Sequence, residues 1–263
     1  MKSIYLFSLL APIFVASSSL AFSVSPVKIN LDRESNSQDI EIANDNPTEK
    51  LRVQVDSYKW QQNAQGASIL EPTREIIAFP SILEIPANSK RTVRVGVRVP
   101  HGITEKTYRV IVKQLKDPTL GVTPVGQQTK SQLSFLVNMS LPVYVEPIKT
   151  SRTAELSDGK LKQDKLVFTL SNTGNVRVEL GEASFNALTA TGEILSSTKI
   201  KLGNILANVK REFVLDLPKS QCEKIRSIAI DATAPLAGGR RMDNLKTTIS
   251  TPNGVCSQEI GKK

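Results

Sequence analysis

At 263 residues, with 34 lysines and arginines against 25 acidic residues and a net charge of +9, the chain has room for two ordinary domains. Its basic excess reads either as a solvated surface or as a face for a partner carrying negative charge. The single histidine, His101, sits between Pro100 and Gly102 as a turn residue, so neither a catalytic triad nor a multi-histidine metal site can be built around it.

No Gly-x-Ser-x-Gly elbow, phosphate loop or dinucleotide fingerprint occurs. Zinc-finger spacing is missing, as is any basic cluster with interleaved aromatics. The expectation is therefore no enzyme, no cofactor, no metal and no nucleic-acid partner.

Residues 1–21 have the pattern of a secretory signal peptide. Lys2 is followed by the apolar run Ile4 to Val15 and by Ser19-Leu20-Ala21, with cleavage expected after Ala21. The run is too short to cross a hydrocarbon core of about 30 Å. An exported protein meets an oxidising compartment, where Cys222 and Cys256, the only two cysteines, are expected to close a structural disulfide. They do not form the Cys-x-x-Cys of a redox centre.

From Phe22 onward the apolar residues recur at period two, which is the signature of half-buried antiparallel strands. Ile40 and Ile42 alternate with polar neighbours, then Leu51, Val53 and Val55, then Val93, Val95, Val97 and Val99, then Tyr108, Val110 and Val112. The longest ladder is Leu133, Phe135, Val137, Met139 and Leu141, broken on its polar side by Leu136. Asn44-Asp45-Asn46-Pro47, Pro86-Ala87-Asn88-Ser89 and Pro100-His101-Gly102 punctuate the runs as turns. Lys116 to Lys130, rich in Gly, Pro, Thr and Gln, reads as a mobile loop. The count of strands fits an immunoglobulin-like sandwich over residues 22–147.

Val145 to Arg152 reads as a short joint that restricts the angle between two domains. Beyond it, in residues 148–263, Leu166, Phe168 and Leu170 lead into the turn Asn172-Thr173-Gly174-Asn175. Val176, Val178 and Leu180, then Phe213, Leu215 and Leu217, then Ile228 and Ile230 continue a second sandwich. The predicted fold class is all-β, two immunoglobulin-like sandwiches on a short linker. Asn138-Met139-Ser140 has the form of a glycosylation sequon but falls inside a predicted strand.

Several segments together resemble the periplasmic chaperones of the chaperone–usher pilus pathway. They are Phe22-Ser23-Val24-Ser25-Pro26-Val27-Lys28-Ile29, Ile40-Glu41-Ile42-Ala43-Asn44-Asp45, the run from Phe79-Pro80 through Ile85-Pro86 to Arg91-Thr92-Val93-Arg94-Val95-Gly96, Tyr108-Arg109-Val110, and Tyr144-Val145-Glu146-Pro147. Their wording is closer to the archaic branch of that family. The resemblance implies a periplasmic protein that holds pilus subunits and passes them to an outer-membrane usher. It also implies a donor strand that fills the gap in an incomplete subunit. Leu133, Phe135, Val137 and Met139 are the candidates for that strand. The same ladder also reads as a plain core strand, and self-association would be another way to cover it.

The family anchors the subunit's C-terminal carboxylate with two basic residues. Counting from Asn44-Asp45 places the first on Lys28, which also reads as an ordinary strand lysine facing water. Counting back from Pro147 places the second on Pro142, which has neither charge nor N–H. The second anchor must therefore differ, with Arg91, Arg94 and Arg98 as candidates. The rival readings are a two-domain adhesin or structural pilus component, and a secreted hydrolase.

Overall fold

Most strands of this chain, and the way they face, follow from the period-two alternation. The computed structural model describes residues 22–116, 136–157, 159–162, 165–217, 221–232, 245–251 and 255. The expected signal peptide, and the expected loop beyond Lys116, lie outside the described residues.

Among the described residues ten strand segments build the first sandwich: β1 (Phe22–Ser25), β2 (Ile29–Leu31), β3 (Ser37–Asn44), β4 (Leu51–Gln62), β5 (Ser68–Pro72), β6 (Ile76–Phe79), β7 (Ile82–Ile85), β8 (Ser89–Val97), β9 (Lys106–Gln114) and β10 (Asn138–Val145). One sheet runs β1-β3-β8-β6. The other runs β2-β10-β9-β4-β5, with β7 also on β4. Except in β5, which is exposed throughout, the apolar parity of the strands points between the sheets. Ile40, Ile42, Val93 and Val95 of the first sheet meet Val53, Val110, Val112 and Val143 of the second, all 0% exposed. Burying one such valine contributes about 1.5–3 kcal/mol. Asn44, predicted as a turn residue, is buried, and its amide donates to the carbonyls of Glu49, Ile85 and Pro86 at 2.9–3.1 Å. A buried polar group thus finds its partners and fixes the bend.

The second sandwich holds β11 (Ala154–Leu156), β12 (Lys160–Lys162), β13 (Lys165–Asn172), β14 (Val178–Leu188), β15 (Ile194–Ile205), β16 (Lys210–Asp216), β17 (Ser227–Asp231) and β18 (Lys246–Ser250). One sheet centres on β13, which pairs β11, β12 and β16; the other runs β15-β14-β17-β18. Phe168 stacks on Phe213 at 5.2 Å within a core separate from the first. Asn172 repeats the device of Asn44, donating to the carbonyls of Val176, Ile205 and Leu206. Cys222 opens a one-turn 3₁₀ helix, is disulfide-bonded, and accepts at its carbonyl from Val255 N–H at 3.0 Å. Cys256 lies outside the described residues.

The joint is tied down from both sides. Asn175 donates its amide to the carbonyls of Ile103 and Lys149, both at 2.7 Å, and its side-chain oxygen accepts from Ser151 N–H. Beside it, Arg177 of the second sandwich meets Glu105 of the first at 2.5 Å, with side chains 11% and 0% exposed. Burial pushes the Glu105 carboxyl up, and the adjacent guanidinium offsets part of that push. Removing Arg177 would leave the Glu105 carboxylate buried and unpaired, whereas Arg177 without Glu105 would keep Glu179 as a partner.

Candidate functional site

β10 differs along its length in what flanks it. In an antiparallel pair, hydrogen-bonded and non-hydrogen-bonded positions alternate. Gln114 N–H donates to the carbonyl of Val137, so the odd-numbered residues of this stretch bond toward β9. The even-numbered residues turn the other way. Glu146 N–H accordingly reaches the carbonyl of Leu31 on the β2 side. β2 pairs only with Val143, Tyr144 and Val145. Asn138 and Ser140 therefore aim their backbone N–H and C=O at an edge that no described strand covers. Pro142 comes next on that edge, where its missing N–H breaks no bond to β9.

The register places three residues side by side. Pro142 is opposite Arg109 of β9. Ile29 is the partner of Val143, so Lys28, one residue earlier, is level with Pro142 on the other flank. Two cations thus bracket the proline. Beyond Arg109 the row continues to Tyr58 on β4. This row lies where the outer face of the sheet meets the second sandwich.

The floor of that cleft is aromatic. Trp60, Tyr144 and Leu206 form a buried cluster between the domains. The Arg109 guanidinium lies 3.9 Å from the Trp60 ring centroid, and that of Arg177 lies 3.5 Å from Tyr144. Burial lowers the pKa of Arg109, yet a guanidinium remains charged at any working pH. Among the described residues no carboxylate pairs with Arg109. Gln62 clasps the far side: its amide donates to the carbonyl of Asn204 and its oxygen accepts from Leu206 N–H, at 3.1 and 3.0 Å.

Lys28 reaches across the cleft to Glu179 at 3.2 Å. Arg177 holds the same carboxylate oxygen at 3.0 Å. Burial alone would raise the Glu179 carboxyl, but the bonds from Arg177 and Lys28 outweigh it and hold the group below its ordinary range.

The other sequence candidates fall elsewhere. Val137 and Met139 pack half-buried against the first core, on the inner parity shared with Leu141 and Val143. Leu133 and Phe135 lie outside the described residues. Arg94 points out from the opposite sheet into a two-point pair with Asp39, at 2.7 and 3.1 Å. Arg91 is exposed at the start of β8 and bonds the carbonyl of Lys90. Arg98, past the end of β8, lines a shallow groove of about 750 Å³ with Asp56, Tyr58 and Arg74, across β4 from β9. None of the three arginines joins the row at Pro142. Sequence counting passed over Arg109; its only signal was a cation on the outward parity of the β9 ladder.

Residues 21–151 match the family model described as pili and flagellar-assembly chaperone, PapD N-terminal domain. No curated protein sequence matches the chain. Among solved structures it is similar to that of the CsuC–CsuE chaperone–tip adhesion subunit pre-assembly complex from archaic chaperone-usher Csu pili of Acinetobacter baumannii. There the TM-score is 0.55 at 18% identity, covering 87% of this chain and 97% of the other. The class 5 fimbriae chaperone CfaA gives a TM-score of 0.54 at 15% identity, over 88% and 100% of the two chains. The Escherichia coli chaperone DraB gives 0.51 at 12%, over 89% and 97%. These likenesses extend the two-sandwich fold over both domains, and through its first domain the chain belongs to the pili and flagellar-assembly chaperones.

Proposed function

We propose that this chaperone holds pilus subunits in the periplasm by lending them β10, and that it passes them to an outer-membrane usher. The observation that carries the reading is the half-covered strand. Asn138 and Ser140 offer a partner strand backbone groups in register, and Val137 and Met139, only half-buried against the first core, leave part of their apolar surface to it at every second position. By sequence, Leu133 and Phe135 continue that parity. A partner strand paired to this edge runs toward Pro142, where pairing stops for want of an N–H. Its terminal carboxylate then meets the row formed by Lys28 and Arg109. Arg109 thus takes the place of the missing cation on β10, one strand over. A guanidinium stacked on Trp60 has a planar fork to offer a carboxylate, which an ammonium lacks.

Holding a subunit in this way is binding rather than catalysis. It also explains a two-domain chain better than an adhesin reading does, because the second sandwich supplies one wall of the cleft. A free β10 edge is an exposed template, so the unloaded protein has a reason to self-associate. A Cys222–Cys256 clip would steady the second domain by about 2–4 kcal/mol.

The test is Met139→Glu, measured for both melting and capture of a co-expressed pilus subunit. The expected result is a folded protein with a modest loss in melting, because Met139 is only half-buried against the core, together with lost capture, because a charge must enter an apolar groove. A folded variant that captures the subunit with full affinity overturns the donor-strand reading.

A further inference from the structure

The geometry points to Glu179 as a built-in competitor for the carboxylate site. We infer that in the unloaded chaperone its side chain occupies Lys28 in place of a subunit's C-terminal carboxylate. The inference rests on the reading that Lys28 helps anchor that carboxylate. Lys28 precedes β2 in the first sandwich, Glu179 lies on β14 in the second, and they meet at 3.2 Å with side chains 43% and 46% exposed. Glu179 presents the same chemical group as the expected ligand. It also has a second holder, Arg177, at 3.0 Å on the same oxygen. Arg177 is itself fixed by Glu105 and Asn30.

An incoming carboxylate at Lys28 would share the site with Glu179, and two carboxylates at one cation repel each other. Glu179 must then release Lys28 and rest on Arg177 alone. Displacement weakens the anchor for any carboxylate that arrives without strand pairing. A terminus tethered by pairing along β10 has its displacement cost met by the backbone bonds. Glu179 therefore lowers the affinity of every carboxylate for Lys28 by a similar factor, so that binding is appreciable only for one that also pairs along β10.

The experiment uses the full chain and a fluorophore-labelled Thr-Val repeat peptide, made both with a free C-terminal carboxylate and with a C-terminal amide. The free acid should bind more tightly than the amide. Glu179→Gln should tighten binding of the acid by about two- to fivefold, the range expected of an exposed ion pair, and leave the amide unchanged. The gain should vanish when Lys28→Ala is added. If the acid still outbinds the amide but Glu179→Gln leaves its affinity unchanged or weaker, Glu179 is no competitor and the anchor reading stands without it. Equal tightening of acid and amide also overturns the proposal, since the variant would then be acting by loosening the cleft. Equal binding of acid and amide to the unaltered chain removes the carboxylate anchor itself, and the competitor with it.

Discussion

The two ends of β10 share a strand and a parity, but not a fate. Val143, Tyr144 and Val145 lie between β2 and β9 and are 0–1% exposed. Asn138 and Ser140 have β9 on one side and no described strand on the other. Apolar alternation runs through both ends unchanged, so alternation does not tell a covered strand from an open edge. The difference lies in a neighbour that stops early: β2 is only three residues long, and the chain reaches it by switching sheets between Ser25 and Ile29. The backbone at the C-terminal end of β10 is spoken for on both edges, and among the described residues the N-terminal end has one edge uncovered.

Proline substitutions break this comparison most sharply. Leu141 bonds toward β9 and is 2% exposed. Leu141→Pro removes a ladder bond and a buried side chain together, and should cost about 3 kcal/mol or more, a loss of roughly 6–12 °C in melting temperature. Ser140, one residue away, turns its N–H to the open edge. Ser140→Pro should leave melting within about 1 kcal/mol of the parent. It should nevertheless abolish capture of a co-expressed pilus subunit, because the partner strand loses its donor. Thermal unfolding and co-purification on the same two variants decide the matter. Full capture by a folded Ser140→Pro would mean that the open edge is not where the subunit pairs.

Arg109 sharpens the comparison at the point where the open edge ends. Arg109→Lys keeps the charge but loses the planar fork and the stack on Trp60. Affinity for a subunit ending in a free carboxylate should fall about tenfold, equivalent to about 1.4 kcal/mol. Arg109→Ala should fall further, by about 2 kcal/mol or more for a partly desolvated charge pair. Isothermal titration against a subunit and its C-terminally amidated counterpart checks both values. Equal losses for the two ligands would show that Arg109 supports the cleft without meeting the carboxylate.

Parity and turns were legible in the sequence, and edges were not. The ladders of β3, β8, β9 and β13 carry their apolar residues inward as the alternation requires. β5 is exposed at every position, and much of the twelve-residue β15 is exposed too, so neither shows the alternation that reveals a half-buried strand. Both are edge strands, where lysines such as Lys199 and Lys201 serve to block unwanted pairing rather than to fill a core. The proposed site was half legible for a related reason. Lys28 could be counted from a local turn, but choosing among the arginines needs cross-strand register. Asp39 is opposite Arg94 and Pro142 is opposite Arg109 only once the strands are paired. No spacing along the chain encodes either meeting.

The smallest expected effect concerns the closure of the cleft over the open end of β10, read through acid. The Glu179 carboxyl is held below its ordinary range by Arg177 and Lys28 against the opposing pull of burial. A carboxyl depressed in the folded state contributes stability that is complete above its unfolded pKa and is lost as pH falls through the folded value. The Lys28 bridge should therefore be intact at neutral pH and open only below the ordinary carboxylate range. Glu105 is shifted the other way by burial, so its proton arrives first as pH falls. Two steps should separate. Trp60, the only tryptophan in the chain, lies in the interdomain cluster beneath Arg109 and reports both by its fluorescence. With side chains about half exposed, the Lys28–Glu179 bridge is worth only roughly 0.2–1 kcal/mol, so the lower step should be shallow. Glu179→Gln should erase that lower step and leave the upper one in place. A lower step that survives the substitution would assign it to another carboxylate and leave Lys28 with no measurable hold on the second domain.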